Sequence, residues 1–124
     1  MKDIYLILGS ETALADRALS KLMAQLREEN AETTTLFAGE IEAGAIVEAL
    51  SPSLFSERRA LIIRDLQDLA DEVKEEISSY LSSINPTITL ILVHRGGVKG
   101  KGLLDEIKEH RALHMSRNFA IDGT

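Results

Sequence analysis

The sequence predicts a three-layer α/β fold, in which a five-stranded parallel sheet carries helices on both faces. Two observations predict it. Continuous apolar runs such as "DIYLILGS" and "TITLILVHR" are too evenly hydrophobic for a strand with one wet face and fit strands buried on both sides. Between them lie segments whose apolar residues recur every three or four positions, the spacing of amphipathic helices. Strands alternating with helices in one chain imply parallel strands joined by crossovers. The 124 residues suit one domain, and neither an internal repeat nor a linker-like stretch divides them.

The elements follow in order. "DIYLILGS" is the first strand and stops at Gly9. Ser10 or Thr12 is placed to cap a helix from Glu11 to Asn30, in which Ala15, Leu19, Leu22 and Leu26 share one face. "TTTLFAG" is β-branched and ends at Gly39, a second strand. "EIEAGAIVEAL" reads as a helix weakened by Gly44 and broken before Pro52. "ALIIRD" is the third strand. A helix with Leu66, Leu69, Ala70, Val73, Ile77, Tyr80, Leu81 and Ile84 on one face runs to Asn85-Pro86. "TITLILVHR" is the fourth strand, "GGVKGKG" a flexible basic loop, and "LLDEIKEHR" a helix that ends near Arg111-Ala112. "ALHMSR" is the fifth strand and "NFAIDGT" a tail.

Composition excludes several classes. The absence of cysteine removes disulfides and thiolate metal sites. There is no apolar run of ~18 residues to span a membrane, and the N-terminus lacks the plan of a signal peptide, so a cytoplasmic protein is expected. A net charge of −6 gives nothing to counterion release on DNA, and with 4% aromatic residues and no Trp a base-stacking platform is poorly supplied.

A parallel α/β sheet presents ligands at the carboxyl ends of its strands, so the segments there carry the search for chemistry. After strand one, "GSETALAD" occupies the place of a phosphate-binding loop, G-x-x-x-x-G-K-[ST]. Gly9 is present, but Leu14, Ala15 and Asp16 stand where Gly, Lys and Ser/Thr are required. After strand three, Asp65 lacks the second acid of a Mg²⁺-binding Asp-Glu pair; it suits a helix N-cap or a partner for Arg64. After strand four, Arg95, Lys99 and Lys101 make a basic spot in a Gly-rich loop, residues 96–102, one residue short of a phosphate-binding loop. Backbone N–H groups there could hold an anion, which makes a small nucleotide- or phosphate-binding domain the alternative function; contact with DNA or a neighbouring subunit is a further use of the loop. His94, His110 and His114 have no metal-site spacing, and no nucleophile–base arrangement is visible. Hence no catalytic residue, metal or cofactor is assigned.

One stretch stands out for a different reason. "LSPSLFSERRALIIRDL", residues 50–66, sets Leu54 and Phe55 side by side between a helix-breaking Pro52 and a buried strand. Bulky apolar residues in a connection are either core or held out for a partner. Together with "YLILGSETALADRAL" at residues 5–19 and "TLILVHRGGVKGKGLLDEIKE" at residues 89–109, this stretch resembles the N-terminal domain of the delta-subunit family of the bacterial DNA polymerase III clamp loader. The resemblance implies an AAA+-like domain of P-loop-NTPase topology, sheet order 5-1-4-3-2, without a functional P-loop or ATPase activity. It implies that Leu54 and Phe55 enter a hydrophobic pocket on the ring-shaped sliding clamp (beta), with Ser53, Ser56 and Arg58 at the rim, and that the domain helps open the ring. Other clamp-loader subunits are implied partners of the full-length protein, and DNA only indirectly. Family members continue into lid and collar helical domains, so residues 1–124 are expected to be the first domain alone.

Overall fold

Each apolar run becomes a strand, and the periodic segments between them become helices laid on the sheet. The structure, a computed structural model, describes residues 3–9, 11–51, 58–97, 99–113 and 119–123, those from 110 onward by their backbone alone. In chain order these give β1 (Ile4–Leu8), α1 (Thr12–Glu28), β2 (Glu32–Phe37), a 3₁₀ turn (Ala38–Glu40), α2 (Ala45–Ala49), β3 (Arg59–Arg64), a second 3₁₀ turn (Leu66–Asp68), α3 (Asp71–Leu81), β4 (Ile88–His94), α4 (Lys101–Leu113) and β5 (Phe119–Gly123). The sheet order is β2-β3-β4-β1-β5, and every neighbouring pair is parallel.

Alternation along the central strands sorts two cores. Ile4, Leu6, Leu61, Ile63, Leu90 and Leu92 point to one face, where Ile46 of α2, Val73, Ile77 and Leu81 of α3, and Leu103, Leu104 and Ile107 of α4 pack on them. Ile7, Ala60, Ile62, Ile91 and Val93 point to the other, under Ala15, Leu19 and Leu26 of α1. All seven residues of β4 are buried, as a central strand covered on both sides requires. β2 is the contrast: at the sheet margin, it leaves five of its six residues exposed and only Leu36 half-buried.

Four boundaries depart from the sequence reading. The helix expected over residues 40–50 begins only at Ala45, because Gly44 takes a left-handed φ of 93°. The Glu76 carboxylate of α3 then accepts from Gly44 N at 2.9 Å and Val47 N at 3.0 Å, satisfying N–H groups at the helix start. The helix expected from Leu66 is split: Asp65 is left-handed (φ 55°), Leu66–Asp68 form the 3₁₀ turn, and Leu69 and Ala70 are extended before α3. Leu66 and Leu69 still fill the core from that turn. α1 starts at Thr12, its N-cap Glu11 makes no side-chain capping bond, and the expected cap Ser10 lies outside the described residues. At the C-terminal end α4 runs through Arg111 and Ala112 to Leu113, and the fifth strand is Phe119–Gly123, paired with β1 from Ile4↔Phe119 to Leu8↔Gly123. The expected strand at "ALHMSR" therefore gives its first two residues to the helix, for which Ala and Leu have the better propensity. The expected tail supplies the strand instead.

Candidate functional site

The carboxyl end of the sheet is closed where a nucleotide would sit. Asp16 is on the second turn of α1 and Arg64 is the last residue of β3. Arg64 Nη2 donates to Asp16 Oδ1 at 2.6 Å. The Arg64 partner is therefore Asp16, not Asp65, whose left-handed backbone turns it away to start the 3₁₀ turn and which makes no capping bond through its side chain. The space left among Gly9, Thr12, Ala15, Val93 and Arg95 amounts to ≈ 40 Å³. A small-molecule site needs roughly 300–1,000 Å³. Asp16 sets a carboxylate where the Mg²⁺-binding Ser/Thr hydroxyl of such a loop belongs, and its ion pair with Arg64 borders this small space.

The Gly-rich loop after β4 is built down onto the preceding turn. Gly96, Gly97 and Gly100 all have positive φ. Arg95 N donates to Gln67 Oε1 at 3.1 Å, and Gly96 N donates to His94 Nδ1 at 2.8 Å. Lys99 Nζ reaches Asp68 Oδ1 at 2.6 Å, and Lys101 Nζ lies 3.7 Å from Asp105 Oδ2. Both lysines of the predicted basic spot thus have acidic neighbours, which weakens the field they offer an anion. Among the described residues no group of three or more His, Asp and Glu side chains is placed to hold a metal, and no helix is long and apolar enough to cross a membrane.

His94, at the end of β4, is fully buried. Its Nδ1 accepts from Gly96, so the neutral ring carries its proton on Nε2, which is buried and has no hydrogen-bond partner among the described residues. Burial holds the imidazole below its ordinary range; the backbone of Lys99 and Gly100 opposes this, and the Lys108 ammonium adds to it. A depressed folded pKa means that the unfolded chain takes up a proton first as pH falls. His94 therefore leaves stability intact above about pH 6.5 and erodes it progressively below. Thermal melts between pH 7.5 and 5.5 should fall more steeply for the parent than for His94→Gln, and NMR should place the His94 titration below the ordinary value. Parallel slopes, or titration at or above that value, would show that burial does not govern this ring.

The opposite, amino end of the sheet carries the residues flanking the Leu54-Phe55 stretch. Ser53, Leu54, Phe55 and Ser56 lie outside the described residues; Ser51 and Arg58 lie within them. Arg58 Nη1 donates to Pro86 O at 3.1 Å and Nη2 to the buried Thr89 Oγ1 at 2.7 Å, while Nε lies 3.8 Å from Glu29 Oε1. Its guanidinium is tied into the fold from the base of the stretch. Arg59 does the complementary job, which the sequence reading missed: Nη1 donates to Ala49 O at 3.3 Å and Nη2 to Ser51 O. Carbonyls at a helix C-terminus lack intrahelical partners, and an Arg pair just before a buried strand was the available signal. The two ends of the stretch are thereby clasped together, on the side of the sheet away from the closed groove.

The family model described as DNA polymerase III, delta subunit, matches residues 5–113. Among solved structures, the Bacillus subtilis DNA clamp loader delta protein superposes with a TM-score of 0.67 at 17% identity, over 98% of this chain and 38% of that one. The Thermotoga maritima RuvB Holliday junction branch migration motor gives 0.63 at 19% identity, over 98% and 37%. At such identities the likeness is one of fold, and the chain spans less than two fifths of the length of either protein. A search of curated proteins returns no match. With the family match running from β1 through α4, the chain belongs to the DNA polymerase III delta-subunit family.

Proposed function

We propose that this domain is the clamp-binding part of a clamp-loader delta subunit. It docks on the ring-shaped sliding clamp through Leu54 and Phe55 and helps open one interface of the ring during DNA replication, without hydrolysing ATP. The observation that carries the reading is membership of the family across residues 5–113. The Asp16–Arg64 pair supports the non-catalytic part, since it occupies the groove in which the phosphates of a nucleotide would lie. The clasp of Arg59 on Ala49 and Ser51 supports the docking part, because it fixes both ends of the segment that would meet the clamp. The remaining clamp-loader subunits are partners of the longer protein, and DNA is reached through the clamp.

Calorimetry of the chain against a bacterial sliding clamp is expected to show saturable binding. The same chain with millimolar ATP and Mg²⁺ is expected to give no heat beyond dilution. Absence of clamp binding, or tight Mg²⁺-dependent nucleotide binding, would overturn the reading.

A further inference from the structure

The helical layer on one face of the sheet stops short of the sheet's margin. α2 is five residues long and commits Ile46 to the core. The register with β3 turns Thr34 and Leu36 of β2 to this same face, because Leu61 and Ile63 beside them belong to its core, and alternation puts Glu32 there as well. Glu32 and Thr34 are exposed and Leu36 is half-buried. An α/β sheet ordinarily carries helices over both faces, and among the described residues none covers this strand.

Two adjoining hollows of ≈ 340 Å³ each lie between β2 and α2 and share Leu36 and Ala45. Thr34, Leu61 and Ile88 also line the first, and Ile41 lines the second. Glu32 and Glu48 border the first, Glu40 and Glu42 the second. All four glutamates are exposed, and none joins an ion pair among the described residues. Arg59 also borders the first hollow, but its guanidinium is engaged by the Ala49 and Ser51 carbonyls. Acids therefore stand at the start of β2, beyond its end and on α2, around a largely apolar floor.

Length and charge select the occupant. The six residues of β2 span about 20 Å, the length of a helix of about 13 residues. Apolar residues at i, i+3, i+4 and i+7 form one stripe on such a helix, and the positions beside the stripe point to its flanks. Cations on the flanks reach the rim while the stripe faces the floor. An extended peptide fails here, because its alternate side chains leave on opposite faces. Lys and Arg stems lie along apolar surface with their charged heads outward, which suits acids at a rim.

We infer that the groove between β2 and α2 is a docking site for a basic amphipathic helix of a partner protein. The apolar stripe covers Leu36, Ile41 and Ala45, and flanking Lys or Arg residues meet Glu32, Glu40, Glu42 and Glu48. This is a second contact, in which Leu54 and Phe55 take no part.

The test uses the whole chain and a fluorescently labelled Leu-Lys peptide of about 13 residues with its leucines at helical spacing, followed by anisotropy. Saturable binding is expected, with at least tenfold weaker binding when every Lys is replaced by Glu. Thr34→Lys sets a cation on the floor at an exposed position, and Glu42→Lys/Glu48→Lys reverses the rim. Each is expected to weaken binding of the Leu-Lys peptide at least tenfold. Glu72→Lys/Glu75→Lys makes the same charge change at exposed positions of α3 and is expected to leave binding within twofold, as is Leu54→Ala/Phe55→Ala. Should the groove variants fail to fold, NMR shifts on the parent decide instead, and they should gather on Thr34, Leu36, Ile41 and Ala45. The proposal is overturned if the Leu-Lys peptide does not bind, if it binds the groove variants equally, if the α3 or the Leu54-Phe55 variant weakens it as much, or if the shifts gather elsewhere.

Discussion

The Leu54→Ala/Phe55→Ala double variant is expected to lose roughly two to four decades of affinity for the sliding clamp while melting with the parent. Burying a Leu and a Phe side chain is worth about 1.5–3 kcal/mol each, or about 3–6 kcal/mol for the pair, and each 1.4 kcal/mol is about tenfold. Ordering the segment on the clamp would consume part of that gain. The clasped ends limit the cost, because Arg59 already joins the end of α2 to the start of β3. The melting temperature is the control that separates contact from core. If the pair packs inside the domain, truncating it opens a cavity and costs several kcal/mol of stability. A variant that stays folded and binds the clamp with unchanged affinity would remove these residues from the interface.

Gly100→Ala is expected to be the most damaging single methyl addition in the loop after β4. The residue has φ +71°, and a Cβ there would lie 2.8 Å from Gln67 Cα, 3.3 Å from Gln67 O and 3.3 Å from His94 Nε2. Left-handed backbone costs a non-glycine residue about 1–2 kcal/mol. Pressing a methyl group against backbone that cannot rotate away adds about 1–3 kcal/mol. The sum is on the order of 10–20 °C in melting temperature for a domain of this size. Gly97→Ala is the comparison: its φ is +84° but an added Cβ meets nothing within 4 Å, so it should pay the backbone cost alone. Equal losses at the two positions would show that close approach to Gln67 is not what fixes Gly100.

The first four strands and α1 were legible in the sequence because their signals are local. A run such as Ile88–His94 can be buried on both faces from composition alone, and Ala15, Leu19 and Leu26 declare one face by spacing. What was misplaced depends on distant residues. The start of α2 is set by Gly44 and by Glu76, which lies 32 positions away. The fifth strand fell on Phe119–Gly123 because pairing with β1 selects it, and local propensity around residue 112 does not report that pairing. The same distinction governs the site. Loss of the phosphate-binding pattern at Leu14, Ala15 and Asp16 was readable, but that Asp16 would close the groove on Arg64 was not, since the pair is separated by 48 positions. Leu54 and Phe55 were singled out by sequence and family resemblance, and they lie outside the described residues. Arg58 and Arg59 read as a polar pair and proved to be the fastening on either side of the chain's return.

The closed groove has a thermodynamic consequence. A protein that binds a ligand only when folded gains stability of RT ln(1 + [L]/Kd), so its conformational balance follows the concentration of that ligand. On the function proposed above, Asp16 and Arg64 hold the place of the phosphates and the domain would lack this linkage to nucleotide. Its shape would then be independent of whether ATP is abundant, spent or absent. If it works beside nucleotide-responsive clamp-loader subunits, as proposed, it would act as a fixed reference against which their movements do work.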